Sequence, residues 1–182
     1  MLPDEDIRQR FTISERISIE PLASKHSVEL LETVNENRKR LAGYLPWTDF
    51  VTNRREAGDY ISRRINSHAV DAYWFAIYFD DRFTGVIGSK GVEPETRTTE
   101  IAYWLADHGR GNRLIDQALS VLILYLKKKG NARSIQFHCL EENIPSIRIA
   151  ERTGAKLKHY LDHEFDMLDR SQRLGVYELP LT

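Results

Sequence analysis

The chain has 182 residues, 41% of them hydrophobic and 29% charged, and 26 Lys and Arg against 27 Asp and Glu leave a net charge of −1. That apolar share fills a folded core, no apolar run approaches the ~20 residues of a membrane-spanning helix, and balanced charge without a basic block argues against a dedicated nucleic-acid binder. One cysteine, Cys139, excludes a disulfide framework and a multi-cysteine metal site, and the charged N-terminus MLPDEDIRQR lacks the apolar stretch of a secretory signal, so a cytoplasmic protein is expected.

No linker or repeat divides the sequence, which reads as one domain over 1–182 with 1–14 as a loosely ordered N-terminal extension. Residues 16–20 (RISIE) alternate polar and apolar, as a first strand ending at Pro21. Ser24 is placed to cap a helix carrying Val28, Leu30, Leu31 and Val34, and a second helix is expected from Glu36 to Leu41. The loop Tyr44–Phe50 is dense in aromatics. Asn53 then caps a helix to about His68, with Ala57, Tyr60, Ile61 and Ile65 facing inward. From Tyr73 the period becomes two: Tyr73–Phe79, an Asp80-Asp81 turn and Phe83–Ser89 read as a hairpin, followed by a third strand, Thr99–Leu105. Leu114, Ala118, Leu122 and Leu126 mark a buried helix, closed by Lys127–Lys129 and Gly130. A strand at Ser134–Leu140, a helix at Pro145–Arg152 and two strands near 156–161 and 172–179 complete a mixed sheet with helices on its faces.

One feature carries chemistry. Strand 99–105 enters the buried helix through the turn ADHGRGNR, residues 106–113. A helix start of this kind offers free backbone N–H groups and a positive dipole end, which suit a phosphate, and Arg110 and Arg113 add charged donors. An ordinary strand–helix connection with solvated arginines has the same local sequence.

The run EIAYWLADHGRGNRLIDQAL resembles the acetyl-coenzyme A site of the GNAT acetyltransferases, in particular the RimL/RimJ branch that acetylates ribosomal-protein N-termini. These carry a strand like EIGYWL, a Gln/Arg-Gly-x-Gly turn and a central helix. Residues 142–154 (ENIPSIRIAERTG) resemble the family segment N-x-x-S-x-x-x-x-E-R-x-G-F, and the likeness extends over roughly 16–180. It implies an α+β, three-layer GNAT fold with a mixed, mostly antiparallel sheet of about seven strands flanked by helices. It further implies transfer of acetyl from acetyl-CoA to a primary amine by direct attack, without a metal, and a possible homodimer. The amine is a protein N-terminus or a small molecule.

By the same resemblance, strands 99–105 and 134–140 splay apart around the pantetheine arm. The coenzyme lies along Tyr103, Trp104 and Leu105, its pyrophosphate on Arg110, Gly111, Asn112, Arg113 and Leu114, and its arm against Asn143 and Ser146. Ser146 is the proton donor to the leaving sulfur. Glu100 and Glu164 are candidate bases, each also readable as a solvated or ion-paired side chain. Trp47 and Phe50 form either an acceptor wall or a hydrophobic plug.

The turn departs from the family pattern. Arg113 stands at the second glycine and Asp116 at the usual Thr/Ser, bringing a Cβ and a negative charge close to the phosphate position. Either Arg113 swings outward onto a phosphate, or the loop is degenerate and the domain is a non-catalytic coenzyme- or protein-binding module. His138 and Cys139 are adjacent on a strand and face opposite ways, so they make neither a metal site nor a catalytic pair.

Overall fold

In the computed structural model, which describes residues 9–161 and 171–182, the chain opens with β1 (Phe11–Thr12), β2 (Ile17–Pro21), α1 (Ser27–Leu41) and α2 (Arg54–Ile65). It continues through β3 (Ala72–Phe79), β4 (Arg82–Val92), β5 (Thr98–Leu105), α3 (Leu114–Lys129) and β6 (Ser134–Leu140). It closes with α4 (Ile144–Arg152), β7 (Lys156–Leu161) and β8 (Leu174–Pro180). The sheet order is β1-β2-β3-β4-β5-β6-β8-β7, antiparallel throughout except where β5 meets β6.

Turn chemistry sets much of this. Asp80 and Asp81 sit at φ 49° and 59°, the left-handed pair of a type I′ hairpin turn, and join β3 to β4 in register. Asn53 caps α2 by accepting the Glu56 N–H at 2.9 Å. Gly130, at φ 73°, closes α3 just past its three lysines.

Four expectations change. The sheet has eight strands among the described residues, because Phe11–Thr12 pairs with Ile19 and Ser18 as an added edge. The two helices expected between Val28 and Leu41 are one. Leu30, Thr33, Val34, Asn37 and Leu41 keep a single buried stripe at helical spacing, and neither Gly nor Pro interrupts it. Ser24 opens a short 3₁₀ turn rather than capping that helix, and the Ala23 N–H is taken by His26 Nδ1 at 2.9 Å. The second helix stops at Ile65, short of His68, as Asn66 leaves helical geometry and Ile65 turns to solvent.

The helices make two outer layers. α3 and α4 cover one face with Ile115, Ala118, Leu119, Leu122 and Ala150 against Phe75, Ile87, Ile101, Ile135 and Phe137. α1 and α2 cover the other with Leu30, Val34, Ala57 and Ile61 against Ala76, Val86 and Trp104. Residue alternation on β5 therefore sends Trp104 into one layer and Ile101 into the other. No helix among the described residues is long and apolar enough to cross a membrane.

Candidate active site

β5 and β6 are paired only at Thr98–Glu100 with Ser134–Gln136. Beyond that the two strands diverge, and the space between them opens into a cleft of 1170 Å³ walled by both strands, the start of α4 and the loop after α1. The splay expected from the sequence is present.

The divergence leaves one edge of β5 bare. Ala106 N–H donates to Thr84 O at 2.7 Å, and antiparallel alternation then points Trp104 and Ala102 toward β4. Tyr103 and Leu105 consequently present N–H and C=O to the cleft. Trp104 borders the cleft, and its indole is buried and donates to Tyr60 Oη at 3.0 Å. The Leu105 carbonyl is held by the Arg40 guanidinium, which also donates to Tyr44 Oη at 2.7 Å and pairs with Asp107. Asn37 accepts the Asp107 N–H at 2.8 Å, so α1 fixes the end of β5 at two points.

The turn that follows takes the glycine-type conformation twice. Gly111 lies at φ 81° and Arg113 at φ 54°, and Arg113 is the residue before the first turn of α3. The side chains of Asn112 and Gln117 bond the carbonyls of Gly109, Arg110, Asn112 and Arg113 at 3.1–3.3 Å, which braces the loop. The N–H groups of Leu114, Ile115 and Asp116 begin a helix and have no intrahelical acceptor. The Arg113 guanidinium is exposed and makes no hydrogen bond or ion pair among the described residues. Asp116 does not threaten this end. Arg152 of α4 clamps it with two bonds, 2.6 and 2.9 Å long, so its charge is already met. A left-handed backbone costs an L-residue about 1 kcal/mol. Arg113→Gly is thus expected to raise Tm by about 3 °C while weakening coenzyme binding about tenfold, through loss of the phosphate contact that the family resemblance implies. Thermal melts and calorimetry on the same sample check both signs.

Ser146, in the first turn of α4, has its Oγ 2.7 Å from Tyr103 Oη and 3.4 Å from Cys139 Sγ. Burial pushes the Tyr103 hydroxyl and the Cys139 thiol above their usual range, so both stay protonated. Asn143 lines the cleft at the start of that helix. Glu100 also lines it, but Lys90 Nζ holds its carboxylate at 2.8 Å and His138 Nδ1 lies 3.7 Å away. Glu164 lies outside the described residues.

Trp47 and Phe50 are not among the residues that line the cleft. Trp47 packs at a tilt against Tyr60 and Trp104 at ring separations of 4.4 and 5.6 Å, a plug between α2 and the sheet. Phe50 is 71% exposed and does not border the cleft. Tyr44, Leu45 and Pro46 take that place instead. Sequence reading also missed Arg40, Lys90 and His138 as cleft residues. Period-two alternation puts His138 on the face opposite Cys139, but only the strand register shows that Glu100 shares that face.

A family model described as an acetyltransferase (GNAT) domain matches residues 16–156. The chain is 28% identical over 166 residues to the ribosomal-protein-serine acetyltransferase of Escherichia coli (strain K12), covering 91% of this chain and 93% of that protein. Among solved structures, RimL, a ribosomal α-N-protein acetyltransferase, superposes with a TM-score of 0.86 at 20% identity, over 94% of this chain and 98% of its own. That structure holds coenzyme A as a disulfide to one of its cysteines. The microcin self-immunity acetyltransferase MccE, in complex with acetyl-CoA and AMP, superposes with a TM-score of 0.84 at 22% identity, over 92% and 94%. With a splayed strand pair, a phosphate-type helix start and a matching family model over most of its length, the chain belongs to the GNAT acetyltransferase family.

Proposed function

We propose that the chain transfers the acetyl group of acetyl-CoA to the α-amine of a protein N-terminus by direct attack of the neutral amine on the thioester. The observation that carries this reading is the bare edge of β5 at the cleft, where the Tyr103 hydroxyl of that strand meets the Ser146 hydroxyl of α4. The residues present fit the coenzyme: unpaired N–H groups and a free arginine at the start of α3 suit a pyrophosphate, and the strand edge suits an extended amide-bearing arm.

The coenzyme supplies an activated acyl group on a thiol leaving group. The chain supplies the rest. N–H groups of Tyr103 and Leu105 are positioned to hold the developing oxyanion. Ser146, bonded to Tyr103, gives a proton to the departing sulfur, and the N-terminus of α4 favours any negative charge there. Cys139 lies beside Ser146, its Sγ 3.4 Å from the hydroxyl oxygen. Its thiol is kept protonated by burial, so it is no nucleophile and an acyl-enzyme is not required.

The N-terminal acceptor rests on the Escherichia coli relative, which acts on a ribosomal-protein serine. A ribosomal acceptor implies a cytoplasmic enzyme, and the family resemblance implies a homodimer, which light scattering reads directly. The test is acetyl-CoA turnover, by mass spectrometry, against peptides with free N-terminal Ser or Ala, the same peptides with blocked N-termini, and polyamines. Acetylation confined to the free α-amines is expected. Polyamine acetylation alone would make this a small-amine enzyme. Coenzyme binding without transfer to any amine would make it a binding module.

A further inference from the structure

The cleft holds a basic group that the mechanism above does not use. His138 lines it from β6, and its two ring nitrogens have different partners: Nε2 lies 3.2 Å from Gln136 Oε1, and Nδ1 lies 3.7 Å from Glu100 Oε1. The Gln136 amide can be oriented in only one way. Its Nε2 donates to the Glu178 carboxylate at 2.8 Å, and a carboxylate cannot donate in return, so Oε1 is left to accept from His138. Glu178 is itself held by Lys158 Nζ at 2.8 Å. The proton of the neutral imidazole therefore sits on Nε2, and Nδ1 carries a lone pair. Nδ1 lies too far from Glu100 Oε1 for a hydrogen bond, and that oxygen already accepts from Lys90 Nζ at 2.8 Å, so among the described residues Nδ1 is an open acceptor in the cleft beside a lysine-paired carboxylate. The complement of such a nitrogen is an N–H donor. We propose that His138 is the catalytic base of this enzyme, its Nδ1 taking the proton of the acceptor's ammonium, directly or through one water, while Glu100 steadies the imidazolium and Gln136 with Glu178 fixes the tautomer.

The remaining surroundings agree. Lys90 on β4 and His159 on β7 oppose a resident positive charge, Glu100 on β5 favours one, and the β8 residue paired with His138 is the apolar Val176. Burial, the largest influence, pulls the imidazole below its usual pKa and keeps it neutral and ready at pH 7. Glu100, tied to Lys90, is the weaker candidate for the base. The protons balance. The ammonium gives one to Nδ1, and the free amine attacks the thioester carbon. As the C–S bond breaks, Ser146 or Tyr103 protonates the sulfur and is recharged from the nitrogen of the collapsing adduct. The products are amide and thiol, and His138 releases one proton to water.

This proposal rests on the acetyl-transfer reading, and its test separates the two. For an N-terminal peptide, His138→Gln should lower kcat/KM about 10²–10³-fold at pH 7 with acetyl-CoA affinity unchanged. The deficit should shrink toward high pH, as the rate comes to follow the peptide's own α-amine, pKa about 8. Gln136→Leu should lower kcat/KM about tenfold and move the acid limb, because it frees the tautomer. Independently of turnover, ¹⁵N NMR of the unliganded enzyme should show His138 protonated at Nε2 in the wild type and a tautomer mixture in Gln136→Leu. A His138→Gln enzyme with wild-type rate and pH profile, or a wild-type imidazole protonated at Nδ1, would overturn the assignment while leaving acetyl transfer intact. If the unaltered enzyme binds acetyl-CoA and acetylates no amine, the acetyl-transfer reading falls and takes this proposal with it.

Discussion

Ser146→Ala is expected to cut kcat about 10²-fold while leaving acetyl-CoA affinity within about twofold, since in the proposed mechanism the hydroxyl acts on the leaving sulfur and not on ground-state binding. The loss should be smaller than for the double variant with Tyr103→Phe. Tyr103 Oη lies 2.7 Å from Ser146 Oγ, and under the proposed mechanism the two hydroxyls serve the same sulfur as one unit. The double variant should lose about 10³-fold, and the singles should not add to it, as expected of residues in contact. Rapid-quench single turnovers isolate the step from product release. Burial holds the Tyr103 proton firmly in the resting enzyme, so this residue stays an acid across the working pH range. An unchanged rate in Ser146→Ala would remove Ser146 from the chemistry.

The second large effect is structural and falls on the same cleft. Gly85 lies opposite Leu105, the last residue of β5 and beyond the point where that strand parts from β6, next to a bulge in β4 at Thr84. A Cβ there would come within 2.2 Å of the Trp104 carbonyl oxygen and 3.1 Å of Leu105 Cα, and both are backbone atoms that cannot swing aside. The end of β5 must move. Overpacking of this kind costs about 3 kcal/mol, or roughly 10 °C in Tm, and it displaces the N–H groups of Tyr103 and Leu105. Gly85→Ala should therefore lose coenzyme affinity along with stability. Gly58→Ala serves as the control: nothing lies within 4 Å of the added methyl in α2, and helix propensity should raise stability by about 1 kcal/mol. Parallel melts and binding isotherms of the two variants separate a local strand effect from a general cost of losing glycine.

The element order was legible wherever the signal is local. Asp80-Asp81 between apolar runs specifies its turn, and Lys127–Gly130 specifies the end of α3, because capping and turn geometry involve neighbours in sequence. The strand–turn–helix of the candidate site was legible for the same reason, together with its similarity to known acetyltransferases. What sequence could not supply were the partners across the fold. Asp116 reads as a charge spoiling a phosphate site until Arg152, 36 residues on, is found bonded to it. Ser146 has no visible link to Tyr103, 43 residues earlier. Trp47 could be wall or plug until Tyr60 and Trp104 are seen against its ring. His138 needed three strand registers at once: β5 brings Glu100, its own strand Gln136, and β8 Glu178.

The claim on which all of this depends is that the gap between β5 and β6, with the start of α3, is an acetyl-CoA site. Isothermal titration of the unaltered chain with acetyl-CoA measures that directly. One site per chain is expected, about tenfold weaker in Arg113→Gly and abolished or strongly reduced in Gly85→Ala. No binding at high micromolar coenzyme would contradict it.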